Sequence, residues 1–140
     1  MATFPFEFVS PERLLMSEPV DEVRVPGSEG DFTVMAGHAP FVSTLRPGVV
    51  DVIAGGNTRR LLVRGGIAEV TPERGLTILA AAAVPVEELD AARLDQEIRD
   101  ADEALAKAST DEGRRRAQEM LARLRELRAG GTSGQVAASH

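Results

Sequence analysis

A change of residue type across residues 80–85 constrains this chain more than any other feature. Before it, β-branched and aromatic residues alternate with polar ones in short runs that end at Gly or Pro. After it, β-branched residues almost vanish, and Ala, Leu, Glu and Arg dominate. Period-two alternation builds half-buried strands, and the second composition builds helices. The order must therefore be β first and α second. A length of 140 residues suits one domain, or a small domain with an appendage. All five Phe lie in the first 41 residues, so the bulky core side chains belong to the β half.

Within residues 1–84 the alternation of Phe4, Phe6 and Phe8 with Pro5, Glu7 and Val9 marks the first strand. Further short strands are expected at 14–17, 20–25, 41–45, 48–53, 61–63, 67–70 and 76–79. Gly55-Gly56 between apolar runs signals a hairpin. Gly65-Gly66 reads as a bulge or tight corner, and residues 72–75 read as a type I turn. Many short strands at such spacing argue for a β-sandwich or barrel. Residues 26–40 interrupt the pattern as a cluster of turns around His38, because Gly supplies φ > 0 and Pro fixes φ. His38 there is either a hydrogen-bonded turn residue or a contact residue.

Residues 85–129 read as a helical hairpin. A first helix is expected over 87–108, with an apolar seam of Leu94, Ile98, Ala101, Leu105 and Ala108. Ser109 followed by Glu112 fits a capping box that opens a second helix, running to about Arg128. Its stripe is Ala117, Met120, Leu121, Leu124 and Leu127. Gly130-Gly131 stops it, and residues 130–140 are expected to be a disordered tail. The first helix carries eight acidic and three basic residues over 87–107, the second four acidic and six Arg over 111–128. On a helical wheel Arg114 and Arg125 flank one side of the second stripe, Arg116 and Arg123 the other, and Arg115 points away. Either these side chains cover apolar surface and pair with the first helix, or they form a basic face for an acidic partner. Ala-rich seams bury little area, so the hairpin is expected to be weakly held and able to leave its docking site.

Composition excludes several chemistries. There is no Cys for disulfides or thiolate metal sites, and with two His a His-rich site has too few ligands. A formal charge of −6 argues against nucleic acid as the main partner. No apolar run is long enough to span a bilayer, and no signal-like segment opens the chain, which reads as cytosolic. Ser28, Asp31 and His38 lack the nucleophile elbow of a hydrolase. The 27–30 segment lacks the Gly-Lys-Ser/Thr ending of a phosphate loop, and Glu29 and Asp31 would repel phosphate. The adjacent carboxylates Glu87-Glu88 and Asp102-Glu103 read as a solvated face. The residues alone thus point to a non-catalytic interaction module, and leave open a stand-alone ligand-binding sandwich with a dimerising hairpin.

Three ordered motifs sharpen this. Gly27-Ser28-Glu29-Gly30-Asp31 precedes Ala36-Gly37-His38-Ala39-Pro40 and Arg46-Pro47-Gly48; Arg64-Gly65-Gly66-Ile67-Ala68-Glu69-Val70 follows; Leu89-Asp90-Ala91-Ala92-Arg93 comes last. Together they resemble the epsilon subunit of bacterial F-type ATP synthases over about residues 4–128. The resemblance implies a ten-stranded β-sandwich followed by a two-helix hairpin. It implies a non-catalytic rotor subunit at the cytoplasmic face of the bacterial inner membrane. There the sandwich would bind the gamma subunit and the c ring, with Glu29, Asp31 and His38 in the interface. It also implies a hairpin that, extended, contacts the alpha and beta subunits and inhibits ATP hydrolysis. Arg114, Arg115, Arg116, Arg123 and Arg125 are the candidates for beta contact. No cofactor is required, but some relatives bind ATP as a regulatory ligand through the Asp and Arg matched here by Asp90 and Arg93. Leu94 stands where that pattern has Ala.

Overall fold

The computed structural model describes residues 2–131. The chain divides into two compact units, Met1–Pro85 and Val86–His140. The first unit is a ten-stranded curled sheet, a β-sandwich: β1 Phe4–Val9, β2 Leu14–Val20, β3 Glu22–Gly27, β4 Gly30–Met35, β5 Phe41–Leu45, β6 Gly48–Ala54, β7 Asn57–Val63, β8 Gly66–Thr71, β9 Gly75–Ala80 and β10 Ala83–Pro85. The strand order is β10-β7-β6-β3-β5-β8-β9-β1-β2, with β4 paired to β3. All neighbours are antiparallel except β1 and β9, which run parallel. The halves of the sheet join through one residue pair, Gly27 with Leu45. There the sheet folds over on itself.

The core follows from the alternation. Phe4, Phe6 and Phe8 are buried, as are Val23, Val25, Val50, Val52, Leu76 and Ile78, all on inward-facing positions. Phe6 and Phe8 pack edge to face, with ring centroids 6.0 Å apart. Their intervening residues Pro5 and Glu7 are exposed, as the pleat requires.

Four local expectations are corrected. The stretch 26–40 is not only turns: β4 lies inside it and pairs with β3 from Glu22–Met35 to Gly27–Gly30. Dense Gly hid its Phe32, Val34 alternation. Val20 belongs to β2, and the chain bends at Asp21 before β3 begins. The 72–75 turn is displaced: Thr71 pairs with Gly75, so Pro72, Glu73 and Arg74 form the loop. Gly75 closes it at φ 69°, and an added Cβ there would come within 2.2 Å of the Pro5 carbonyl oxygen. The short β10 pairs with β7 through Ala83–Val63 to Pro85–Leu61 in the segment where composition changes.

The second unit is a helical hairpin. A short 3₁₀ turn at Val86–Glu88 precedes α1, Ala91–Lys107, and α2 spans Asp111–Glu126. A wide final turn covers Leu127–Gly131. The first helix therefore starts four residues later than the composition predicts, because Asp90 caps it. The capping box is also shifted. Thr110, extended at φ −122° and ψ 156°, is the cap residue, and its Oγ1 accepts from the Gly113 N–H at 2.9 Å. Glu112 instead reaches forward to Arg116 at 2.6 Å. The α2 stripe Ala117, Met120, Leu121, Leu124 and Leu127 is buried as read from the sequence. On α1 Leu94 and Ala101 are buried, while Ile98, Leu105 and Ala108 are half-buried. Residues 132–140, most of the expected tail, lie outside the described residues.

Candidate functional site: two faces of the sandwich and a charged arm

The turn between β3 and β4 consists of Ser28 and Glu29. It needs glycine before it: a Cβ on Gly27 would stand 2.6 Å from the Gly30 carbonyl oxygen and 2.9 Å from the Phe32 ring. The turn is tied to the end of β5. The Ser28 N–H donates to the Thr44 carbonyl at 2.9 Å, and the two hydroxyls of Ser28 and Thr44 share a bond of 2.6 Å. Arg46 N–H donates to the Pro26 carbonyl at 3.0 Å, and its guanidinium pairs with Asp31. Glu29 is exposed at the tip.

His38 lies past the other end of β4. Four strand steps separate Asp31 from Met35, about 13 Å at ~3.3 Å each. The His38 N–H donates to the Met35 carbonyl at 3.1 Å, and Nδ1 stands 2.7 Å from the Ala39 carbonyl oxygen. That neighbour can only accept, so Nδ1 is the donor in this contact. The ring lies 6.0 Å from Phe41, which packs edge to face on Phe32 at 5.0 Å. The structure therefore does not gather Ser28, Asp31 and His38. Each is engaged separately, which agrees with excluding a hydrolase triad.

Sequence reasoning missed a second surface. The register places Leu14 beside Val9, Val9 beside Leu79, Leu79 beside Ile67 and Ile67 beside Thr44. These are outward positions, yet Leu14 is 56% exposed, Leu79 52% and Ile67 45%. Val42, two residues from Thr44 on the same face of β5, is 64% exposed. An apolar row of Leu14, Val9, Leu79 and Ile67 thus crosses four strands and ends at Thr44, with Val42 in the adjacent row beside Glu69 and in line with Glu7. The signal was present as outward positions of β8 and β9 that break the polar alternation, but only the register assembles them.

On the hairpin, Asp90 Oδ1 accepts from the Arg93 N–H at 2.8 Å, which makes it the N-cap of α1. The Arg93 side chain turns to Glu97, with Nε 3.7 Å from Oε2. Glu97 is 4% exposed, a buried acid that sequence reasoning did not single out. Leu94 is fully buried. The arginines of α2 divide. Arg114 pairs with Asp111 at 3.5 Å, Arg116 with Glu112, and Arg123 with Glu126 at 3.4 Å, all within the helix. Arg125 reaches Asp102 on α1 at 3.8 Å, and Arg128 reaches Asp95 at 2.9 Å. Arg115 is exposed and makes no ion pair among the described residues. No group of His, Asp or Glu able to hold a metal occurs among the described residues.

The candidate groups are thus spread over separate surfaces and engaged one by one. Comparison with known proteins gives the family. A family model described as ATP synthase, Delta/Epsilon chain, beta-sandwich domain matches residues 3–86. The ATP synthase epsilon chain of Parvibaculum lavamentivorans is 56% identical over 124 residues, 88% of this chain and 93% of that one. That of Sinorhizobium medicae is 52% identical over 126 residues, 89% and 92% of the two chains. A chain in the mitochondrial ATP synthase of Euglena gracilis, solved as an OSCP, F1 and c-ring assembly, superposes with a TM-score of 0.68 at 26% identity. The match covers 93% of this chain and 82% of that one. A chain of the central stalk and c-ring structure from Tetrahymena thermophila shares the fold, with a TM-score of 0.59 at 11% identity. The chain belongs to the ATP synthase Delta/Epsilon family, the non-catalytic stalk subunits of the rotary F-type complex. Among the described residues no helix is long and apolar enough to cross a membrane.

Proposed function

We propose that this chain transmits rotation of the c ring to the gamma subunit, docked peripherally at the cytoplasmic face of the bacterial membrane. The carrying observation is the outward apolar row. Exposed Leu14, Ile67, Leu79 and Val42 on one sheet face suit a packed protein partner better than water. Gamma is the occupant, and the β3–β4 turn with Glu29 and Asp31 faces the polar loops of the ring. His38, beside Phe41 beyond the other end of β4, would be a separate contact with the same partners. The experiment is co-purification with gamma. A stable complex at about 1:1 is expected, and Ile67→Glu with Leu79→Glu should abolish it while the chain stays folded. A lone homodimer that ignores gamma refutes the reading and favours a free-standing ligand-binding sandwich. Asp31→Arg tests the ring side: intact coupling and assembly in that variant would remove the turn from the interface.

The hairpin acts as an arm that reaches the alpha and beta subunits and restrains ATP hydrolysis. Its basic α2 supports this reading. Deleting everything after Pro85 should raise hydrolysis by the assembled complex, and no change would exclude inhibition. As a regulatory ligand ATP would meet Asp90 and Arg93. Its phosphates would compete with Glu97 for Arg93. Isothermal titration with ATP, with Arg93→Ala as control, decides whether it binds.

A further inference from the structure

We propose that Arg46 is the positioning residue of the β3–β4 turn: it holds Asp31 and leaves Glu29 as the carboxylate offered to a cationic partner. This rests on the reading that the turn faces the ring. The register carries the argument. Asp31 pairs with Pro26 on β3, and the Arg46 N–H bonds to the Pro26 carbonyl at 3.0 Å. Asp31 and Arg46 therefore flank one residue of β3 from opposite sides. Their side chains meet over it in an ion pair. The two partners are unlike: the Arg46 side chain is 13% exposed and that of Asp31 72%. Burial has already removed much of the freedom of the Arg46 side chain, whose guanidinium lies beside Gly48, where a Cβ would be 3.7 Å from Nη1. The ordering penalty that makes surface pairs weak is thus reduced here.

The pair has a consequence for recognition. A carboxylate whose charge is met by a neighbouring guanidinium presents little net charge to an approaching cation. Glu29 has no such neighbour: among the described residues its side chain makes no ion pair. The two acids on this turn therefore differ in role. Glu29 supplies attraction, and Asp31, through Arg46, supplies shape by fixing the turn to the end of β5. The Ser28–Thr44 bonds complete the same clasp.

The test uses ATP synthase stripped of this subunit and reconstituted with the full chain. The readout is the chain concentration that half-restores ATP-driven ion pumping, at low and high salt. Arg46→Gln and Asp31→Asn should each raise it about fivefold, the size of one ion pair, and the double variant should be no worse than either. Arg46→Lys should stay within about twofold of the parent. Glu29→Gln should flatten the salt dependence, and the Asp31 and Arg46 variants should preserve it. Effects of Arg46→Gln and Asp31→Asn that multiply, or an Arg46→Gln chain equal to the parent, overturn the proposal. If Arg46→Gln does not fold, the exchange D31R/R46D takes its place: recovery of pumping supports the pair, and failure refutes it. Loss of every effect, Glu29→Gln included, removes the turn from the ring interface altogether. An effect of Glu29→Gln alone sinks only the role of Arg46.

Discussion

Asp90 has two candidate uses, and substitution separates them. The structure gives it the N-cap of α1: extended backbone at φ −89° and ψ 177°, with Oδ1 2.8 Å from the Arg93 nitrogen. Removing such a cap costs about 1 kcal/mol, within a range of about 0.5–2. The negative charge at the start of a 17-residue helix adds about 0.3–1 kcal/mol at low salt. Asp90→Ala loses both contributions. Asp90→Asn keeps an acceptor that ranks with Asp as a cap and loses only the charge. Native-state hydrogen exchange at the Arg93 and Leu94 amides reports the difference. Since 1.4 kcal/mol is a factor of ten, Asp90→Ala should speed exchange roughly five- to thirtyfold, and Asp90→Asn less than about fivefold. High salt should erase the Asn effect and leave the Ala effect, because only the dipole contribution is screened. If Asn exchanges as fast as Ala at high salt and without nucleotide, the capping argument is wrong. A nucleotide role predicts the opposite pattern: both variants lose ATP binding in calorimetry, whatever happens to exchange.

Three further outcomes follow from the same geometry. Thr110→Ala should destabilise α2 by about 1 kcal/mol, while Ser109→Ala changes it by a few tenths or less, read from exchange at Gly113; equal effects would restore Ser109 as the cap. Gly27→Ala should destabilise the chain by about 1–3 kcal/mol in urea unfolding, because its Cβ has no room beside the Gly30 carbonyl and the Phe32 ring; a neutral variant would mean that the turn moves freely. Leu124→Ala, at a fully buried site, should cost about 2–5 kcal/mol, and a loss below 1 kcal/mol would show that the hairpin collapses around the gap.

Most of the fold is local and so was legible. The alternation at Phe4, Phe6 and Phe8, the Gly55-Gly56 hairpin and the α2 stripe needed only near neighbours in sequence. Where signals compete, position slips. Ser109 and Thr110 are both good caps, and only the backbone angles choose Thr110. β4 lay under glycines that local rules assign to turns, and β10 has three residues, too few for a period. The apolar row was out of reach for a different reason. Leu14, Val9, Leu79 and Ile67 come together only through the parallel pairing of β1 with β9 and the register of β8 on β9. Glu97 enters the sequence reading only as one of eight acids counted over 87–107, and its burial depends on packing that charge counting ignores.

The arginines of α2 can be ranked on this basis. An exposed ion pair contributes about 0.2–1 kcal/mol, so exchanging an intrahelical acid for one on a partner gains little. Arg114, Arg116 and Arg123 already have acids within their own helix. Arg125 and Arg128 pair with Asp102 and Asp95 of α1, so using them elsewhere also loosens the hairpin. Arg115 loses no ion pair when it meets an acidic segment, and gains one. On the proposed role of the hairpin as a restraint on hydrolysis, charge-removing substitution should therefore have its largest effect at Arg115, although that position points away from the apolar stripe. Gln at each position in the assembled complex provides the measurement. Equal relief at Arg115 and Arg114 would mean that the intrahelical pairs do not compete. No relief at Arg115 would mean that the outward face of α2 is not the one a partner sees.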